Sequence, residues 1–281
     1  MEQRCCTRRF KAFILLMLAG IALTNCGQRK PAGVAQDVTV ADTVNFDVFK
    51  DEINRIIANS PRELEIINFV NEMGSSYIFD LTLPLTEAEK FETQNEIALA
   101  WGAYTADLVY ANTYNRYDIV PYVSDILNQL SQRLGVQDQF PKTVRLLERM
   151  SANENKSDSL SYYLNQVLTT SRQELESGEI PEVYALFSIG AGVESLYLLS
   201  QLTSYAKENQ KMLAYLSERR DLGKSIFRLT EILASDETVK PYYEKIDRLN
   251  KYFESHPDFG EKELSEITFL IMEVRSQILS L

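Results

Sequence analysis

From Phe46 onward, apolar residues recur three and four positions apart, the period of helices that bury one face. Sustained apolar–polar alternation, which a half-buried strand would need, is hard to find. Phe46, Phe49, Ile53, Ile56 and Ile57 mark a first helix over 46–58. Ser60-Pro61-Arg62-Glu63 then combines a capping serine, a first-turn proline and a glutamate three residues on, which starts a second helix to about Met73. Gly74 to Leu85 reads as a loop, with Tyr77–Leu81 its one modest strand candidate. Thr86 and Glu89 repeat the capping pattern and open a long helix to about Tyr114. The same spacing predicts helices over 118–134, 141–151, 157–176, 181–207, 209–234, 238–254 and 261–280. Gly135, Gly178 and Gly260 fall where helix ends favour a permissive backbone, and Pro141, Pro181 and Pro241 where helix starts tolerate proline. Short connections make successive helices antiparallel neighbours. The expected fold class is all-α, a single bundle of about nine antiparallel helices.

The first 25 residues follow a different pattern. Arg4, Arg8, Arg9 and Lys11 precede an apolar run from Ala12 to Leu23. At a rise of about 1.5 Å per residue that run is too short for a hydrocarbon core of roughly 30 Å, and it has the length of a signal peptide. Leu23 occupies the outer position of any small-x-small cleavage site. The tetrapeptide Leu23-Thr24-Asn25-Cys26 instead resembles a bacterial lipobox, with Asn25 standing where Gly, Ala or Ser is usual. The resemblance implies a signal peptide over 1–25, a lipidated Cys26 with a flexible tether over 26–45, and a helical domain over 46–281. Each buried acyl methylene contributes about 0.8 kcal/mol, so several chains would hold the protein firmly on a membrane without spanning it. The expected partner is therefore a membrane, engaged through the anchor at Cys26. In Bacteroidota-like lipoproteins, acidity directly after the cysteine resembles a surface-export signal. Gly27-Gln28-Arg29-Lys30 lacks it, so the expected location is the outer membrane, facing the periplasm.

Charge sharpens this picture. The whole chain carries a formal −11. Cleavage before Cys26 would remove Arg4, Arg8, Arg9, Lys11 and Glu2, and so leave −14. Such acidity argues against nucleic acid, whose affinity comes mostly from cationic contacts to phosphate. The densest basic cluster, Arg219, Arg220, Lys224 and Arg228, is interleaved with Asp221 and Glu231 and reads as a solvated helix face. Cys5 and Cys6 leave with the signal, which strands Cys26 without an intramolecular disulfide partner.

Familiar catalytic signatures are missing. His256 is the single histidine, which removes HExxH and every nucleophile–histidine constellation, and His256-Pro257 reads as a surface turn. Leu222-Gly223-Lys224-Ser225 resembles the end of a phosphate-binding loop, but the pattern requires Gly where Glu218 stands. No calcium loop is present, and no cofactor, metal or catalytic residue is expected. Two carboxylates stand out because their surroundings are apolar. Asp107 lies near Tyr104 and Tyr110, and Glu194 lies within Leu186–Leu199 close to Tyr197, a segment apolar on almost every face. A charge there is costly unless paired or hydrogen-bonded. In one reading the acids accept hydrogen bonds from tyrosine hydroxyls, Trp101 or a helix N-terminus and set the packing register. In the other, Asp107, Glu194, Tyr104 and Tyr197 line a polar pocket for a small ligand, a cation or a carboxylate-based hydrolysis. Gly190 and Gly192 favour the first, since small residues let another helix approach closely.

The runs Trp101–Tyr110, Tyr122–Val136 and Gly190-Ala-Gly-Val-Glu-Ser-Leu-Tyr197 resemble segments of an uncharacterised all-helical lipoprotein family of Bacteroidota-like bacteria. The likeness spans most of 46–281 and implies an exported helical domain, with no activity attached. Val193 stands where relatives tend to carry an aromatic residue. Imelysin-like metal-uptake proteins carry a His-x-x-Glu motif that has no counterpart here. The expected function is a non-enzymatic, anchored helical module that binds an envelope protein or a small ligand, or serves as a scaffold in an envelope assembly. A two-carboxylate hydrolase is the alternative.

Overall fold

The computed structural model describes residues 40–60, 62–138, 141–152, 157–206 and 209–280. The signal segment, Cys26 and most of the stretch read as tether lie outside the described residues. Within them the protein is all-α, with no strand. The order is α1 (Val40–Ala58), α2 (Glu63–Glu72), two 3-10 turns (Phe79–Leu81 and Ala88–Lys90), α3 (Gln94–Thr113), α4 (Val120–Arg133) and α5 (Pro141–Ala152). It continues with α6 (Ser157–Ser177), α7 (Pro181–Tyr205), α8 (Asn209–Ser217), α9 (Arg220–Ile232), α10 (Lys240–Ser255) and α11 (Glu261–Ile278).

Among the described residues there are eleven α-helices, one more than the ten segments delineated by the apolar spacing for a bundle expected to hold about nine. The stretch 209–234, read as one helix, breaks at Glu218–Arg219 into α8 and α9. On an uninterrupted helix, buried Met212, Leu213 and Leu216 would face roughly a third of a turn away from buried Leu222, Ile226 and Leu229. The break lets both faces reach the core. α1 begins at Val40, six residues earlier than the apolar spacing indicated.

The two capping signals before α3 compete, and the second one wins. Thr93 Oγ1 accepts the Glu96 amide at 3.2 Å, and Glu96 Oε2 accepts the Thr93 amide at 2.9 Å, closing a reciprocal box. A helix opened at Thr86 would need the Ala88 and Phe91 carbonyls for its own ladder. Here Arg133 of α4 donates to both carbonyls, at 2.8 Å for Ala88, so the segment stays a 3-10 turn with Ala88 and Phe91 buried. Ser60 likewise does not cap α2: its hydroxyl donates to Ile56 O at 3.2 Å and finishes α1. The strand candidate at 77–81 holds a 3-10 turn, pulled inward by Leu81. Gly260 opens α11, donating its amide to Glu263 Oε2 at 3.0 Å, instead of closing α10.

The core is organised on α3 and α7, which make the most extensive helix pair in the molecule. α3 is buried without interruption from Ile97 to Ala111. α7 is, among the described residues, the one helix long and apolar enough to cross a membrane, but 78% of its apolar window is enclosed by the protein. It is a core helix. Helices α3 to α6 pack each against the next, as do α9 to α11, while α1, α2, α9 and α11 also cover α7. Gly102 and Gly190 let α3 and α7 touch backbone to backbone. A methyl on Gly102 would lie 2.7 Å from Ala191 N and against the Phe187 carbonyl oxygen. One on Gly190 would lie 2.8 Å from Leu99 C and against its oxygen.

Candidate functional site

Where α3, α7 and α11 meet under the α2–α3 loop, each helix contributes one charged or ionisable side chain. Glu194, fully buried on α7, receives Arg275 of α11 through both oxygens: Nε donates to Oε2 at 2.7 Å and Nη2 to Oε1 at 2.9 Å. The guanidinium also lies over the Tyr197 ring, 4.0 Å from its centroid, and Nη2 points at Leu81 O at 3.5 Å. Asp107 of α3 accepts the Leu83 amide on Oδ2 at 2.8 Å, while its Oδ1 has no hydrogen-bond partner. Tyr104, one turn earlier, donates its hydroxyl to Pro84 O at 2.8 Å, and Tyr110 accepts the Ile78 amide at 2.8 Å. Thus Asp107, Glu194, Tyr104 and Tyr197 share one buried polar cluster, and much of its hydrogen bonding is directed at the backbone of residues 78–84.

Electrostatics divide the labour between the acids. Burial, and then the charge of Glu194, push Asp107 well above the ordinary carboxylate range, against the opposing pull of the Leu83 amide and Arg275. Burial also raises Glu194, but the attraction and hydrogen bonds of Arg275 pull it back. Burial thus drives Asp107 toward its protonated form, while Arg275 holds Glu194 as its ion-pair partner. Two-carboxylate hydrolysis needs oxygens that face a substrate, whereas Glu194 spends both on Arg275 inside closed packing.

A pH test follows. Asp107 binds its proton more tightly folded than unfolded, so its contribution to stability falls as pH rises from about 4, where an unfolded aspartate ionises, toward neutrality. Asp107→Asn keeps an oxygen for the Leu83 amide and cannot ionise. Its melting temperature relative to wild type should climb over that window in thermal scans. A constant difference would place the ionised form of Asp107 in the fold.

The acids were legible as buried charges, but their partners were not. The sequence suggested tyrosine donors; the structure supplies Arg275 and a loop amide. One signal pointed to Arg275. A buried carboxylate demands a cation, and Arg275 sits one turn after Ile271 and one before Ile278, at the edge of the apolar row of α11. Among the described residues, no three His, Cys, Asp or Glu side chains converge as a metal site.

A partly enclosed concavity of ligand size lies on another side of α3. Between α1, α3, α6, α7 and α9 opens a cleft of about 320 Å³, within the range of small-molecule sites. Its floor is apolar: Ile57, Tyr184, Leu222, Ile226 and Leu229, with Phe187 beside them. Thr105 is where α3 reaches it, and Asp107 and Glu194 do not line it. The α6 wall is polar, with Asn165, Thr169, Arg172, Gln173 and Glu176, and Arg62 stands at the start of α2. The sequence pattern assigns none of these residues to a ligand site, because the cleft combines five helices whose individual faces look ordinary. No family model, curated protein or solved structure matches this chain.

Proposed function

We propose that this protein is a lipid-anchored, non-catalytic binding module of the bacterial envelope. It is held by acyl chains at Cys26 on the outer membrane, faces the periplasm, and belongs with the helical lipoproteins that its motifs resemble. The observation that carries the binding role is the cleft of about 320 Å³ over the α3–α7 core. It is open, ligand-sized and amphipathic, while the buried acids are engaged within the fold. The anchor rests on the basic start, the short apolar run and Leu23-Thr24-Asn25-Cys26.

Cys26→Ser should abolish labelling by radioactive palmitate and release the protein from membranes; persistent labelling of the variant refutes the anchor. Proteinase added to intact cells should spare the domain, and digestion without permeabilisation refutes the periplasmic orientation.

A further inference from the structure

We infer that the cleft between α1, α3, α6, α7 and α9 takes an uncharged amphipathic molecule, a ring-sized apolar body with an amide or hydroxyl head. This rests on the binding role proposed above and assigns its ligand class. The floor sets the apolar half. Buried Tyr184, Leu222, Ile226 and Leu229, with Phe187 beside them, form a surface that gains by excluding water from an apolar group.

The head follows from which polar groups around the floor still have hydrogen-bonding capacity. Asn165, Arg172 and Tyr184 are already engaged within the fold. Thr105 Oγ1 donates to Trp101 O and Ser188 Oγ to Tyr184 O, each at 2.8 Å, and Ser60 Oγ donates to Ile56 O at 3.2 Å. Thr169 and Gln173 on α6 and Ser225 on α9 make no such bond among the described residues. All three side chains are neutral, and each can both donate and accept. Together they match an amide or a hydroxyl.

Charge disfavours an ion of either sign. With Arg172 engaged, the charged side chains left to meet a ligand are Arg62 and Glu176, one of each sign and both exposed. An ionised head would be drawn to one and repelled by the other, and it would lose hydration beside the apolar floor. A neutral head gives up far less water and meets the uncommitted groups of α6 and α9.

The chain contains its own reporter. Trp101, its single tryptophan, is buried with its ring edge-on to Phe187 at 5.3 Å between centroids, and Phe187 lines the cleft. The experiment titrates the full chain, held in phospholipid nanodiscs, with 3-phenylpropanamide, 3-phenylpropionate and 3-phenylpropylammonium, reading Trp101 emission. We expect a saturable response to the amide and about tenfold weaker binding of either ion. The two exposed charges should then tip the series in opposite directions. Arg62→Gln leaves Glu176 unopposed and should favour the ammonium over the carboxylate by about threefold; Glu176→Gln should do the reverse. Ser225→Leu, which places a larger side chain into the cleft from α9, should abolish the response while circular dichroism stays unchanged. Thr169→Phe, at an exposed position on the α6 wall, makes the same test if Ser225→Leu fails to fold.

An ion that binds as tightly as the amide overturns the ligand class and leaves the cleft as a binding site. So do shifts in the same direction, or none, in the two charge variants. No saturable response to any of the compounds also overturns the ligand class. A wild-type response in the folded cleft-filling variant overturns the cleft as the site, and with it the binding role. The palmitate and proteinase tests of the anchor are unaffected by these outcomes.

Discussion

Arg275→Leu is expected to lower unfolding free energy by about 3–5 kcal/mol, the usual cost of stranding a buried charge. Glu194 is fully buried, and both of its oxygens are satisfied by Arg275, whose side chain is only 12% exposed. Without the guanidinium, Glu194 must either stay charged in an apolar interior or take up a proton. The reverse change is milder, because in Glu194→Gln the remaining cation is near enough to the surface to keep some solvent. Glu194→Leu with Arg275→Leu should recover most of the loss, since an apolar pair of similar volume often replaces a buried ion pair at little cost. Denaturant unfolding of the three variants measures this. A loss below about 1 kcal/mol in Arg275→Leu would overturn the reading of Glu194 and Arg275 as a buried ion pair.

Gly190→Ala and Gly102→Ala should each cost about 3 kcal/mol, at the upper end of overpacking, because the added methyl meets main chain that cannot rotate away. On Gly190 it would sit 2.8 Å from Leu99 C and 3.1 Å from Leu99 Cα; on Gly102 it would sit 2.9 Å from Phe187 C. Relief requires α3 and α7 to separate along the longest contact in the molecule. Gly192→Ala is the internal control. Its methyl would meet the far ends of Ile226 and Leu222 at 3.0–3.2 Å, and side-chain tips can shift. Its cost should stay below about 1 kcal/mol. Thermal unfolding that ranks Gly192→Ala with the other two would remove the distinction between backbone and side-chain contact on which this argument stands.

These predictions show unequally what the sequence disclosed. Gly190 was marked as a place of close helix approach, but Gly102 was noticed only as part of a resemblance. Each glycine makes sense only when the opposite helix is known. Asp107 and Glu194 were conspicuous because acids are rare on apolar helix faces. Arg275 lies 81 residues beyond Glu194, in the last turn of α11, and no local spacing joins the two. Helix boundaries divide along the same line. α4, α5, α7, α10 and α11 begin close to where proline, glycine and apolar spacing placed them. α3 began later than expected because Arg133, from the next helix, takes the carbonyls that an earlier start would need.

The sequence by itself determined the all-helical class, the burial of α3 and α7, and the presence of two acids in need of partners. All three follow from local periodicity and from the cost of burying charge, which neighbours in the chain already express. Tertiary structure alone decided which cation neutralises Glu194, which loop amide holds Asp107, and that the ligand-sized space lies over Thr105 and away from the acids. Those outcomes depend on groups far apart in the chain meeting at a few ångströms. No local spacing encodes such a meeting; it exists only once the helices have packed.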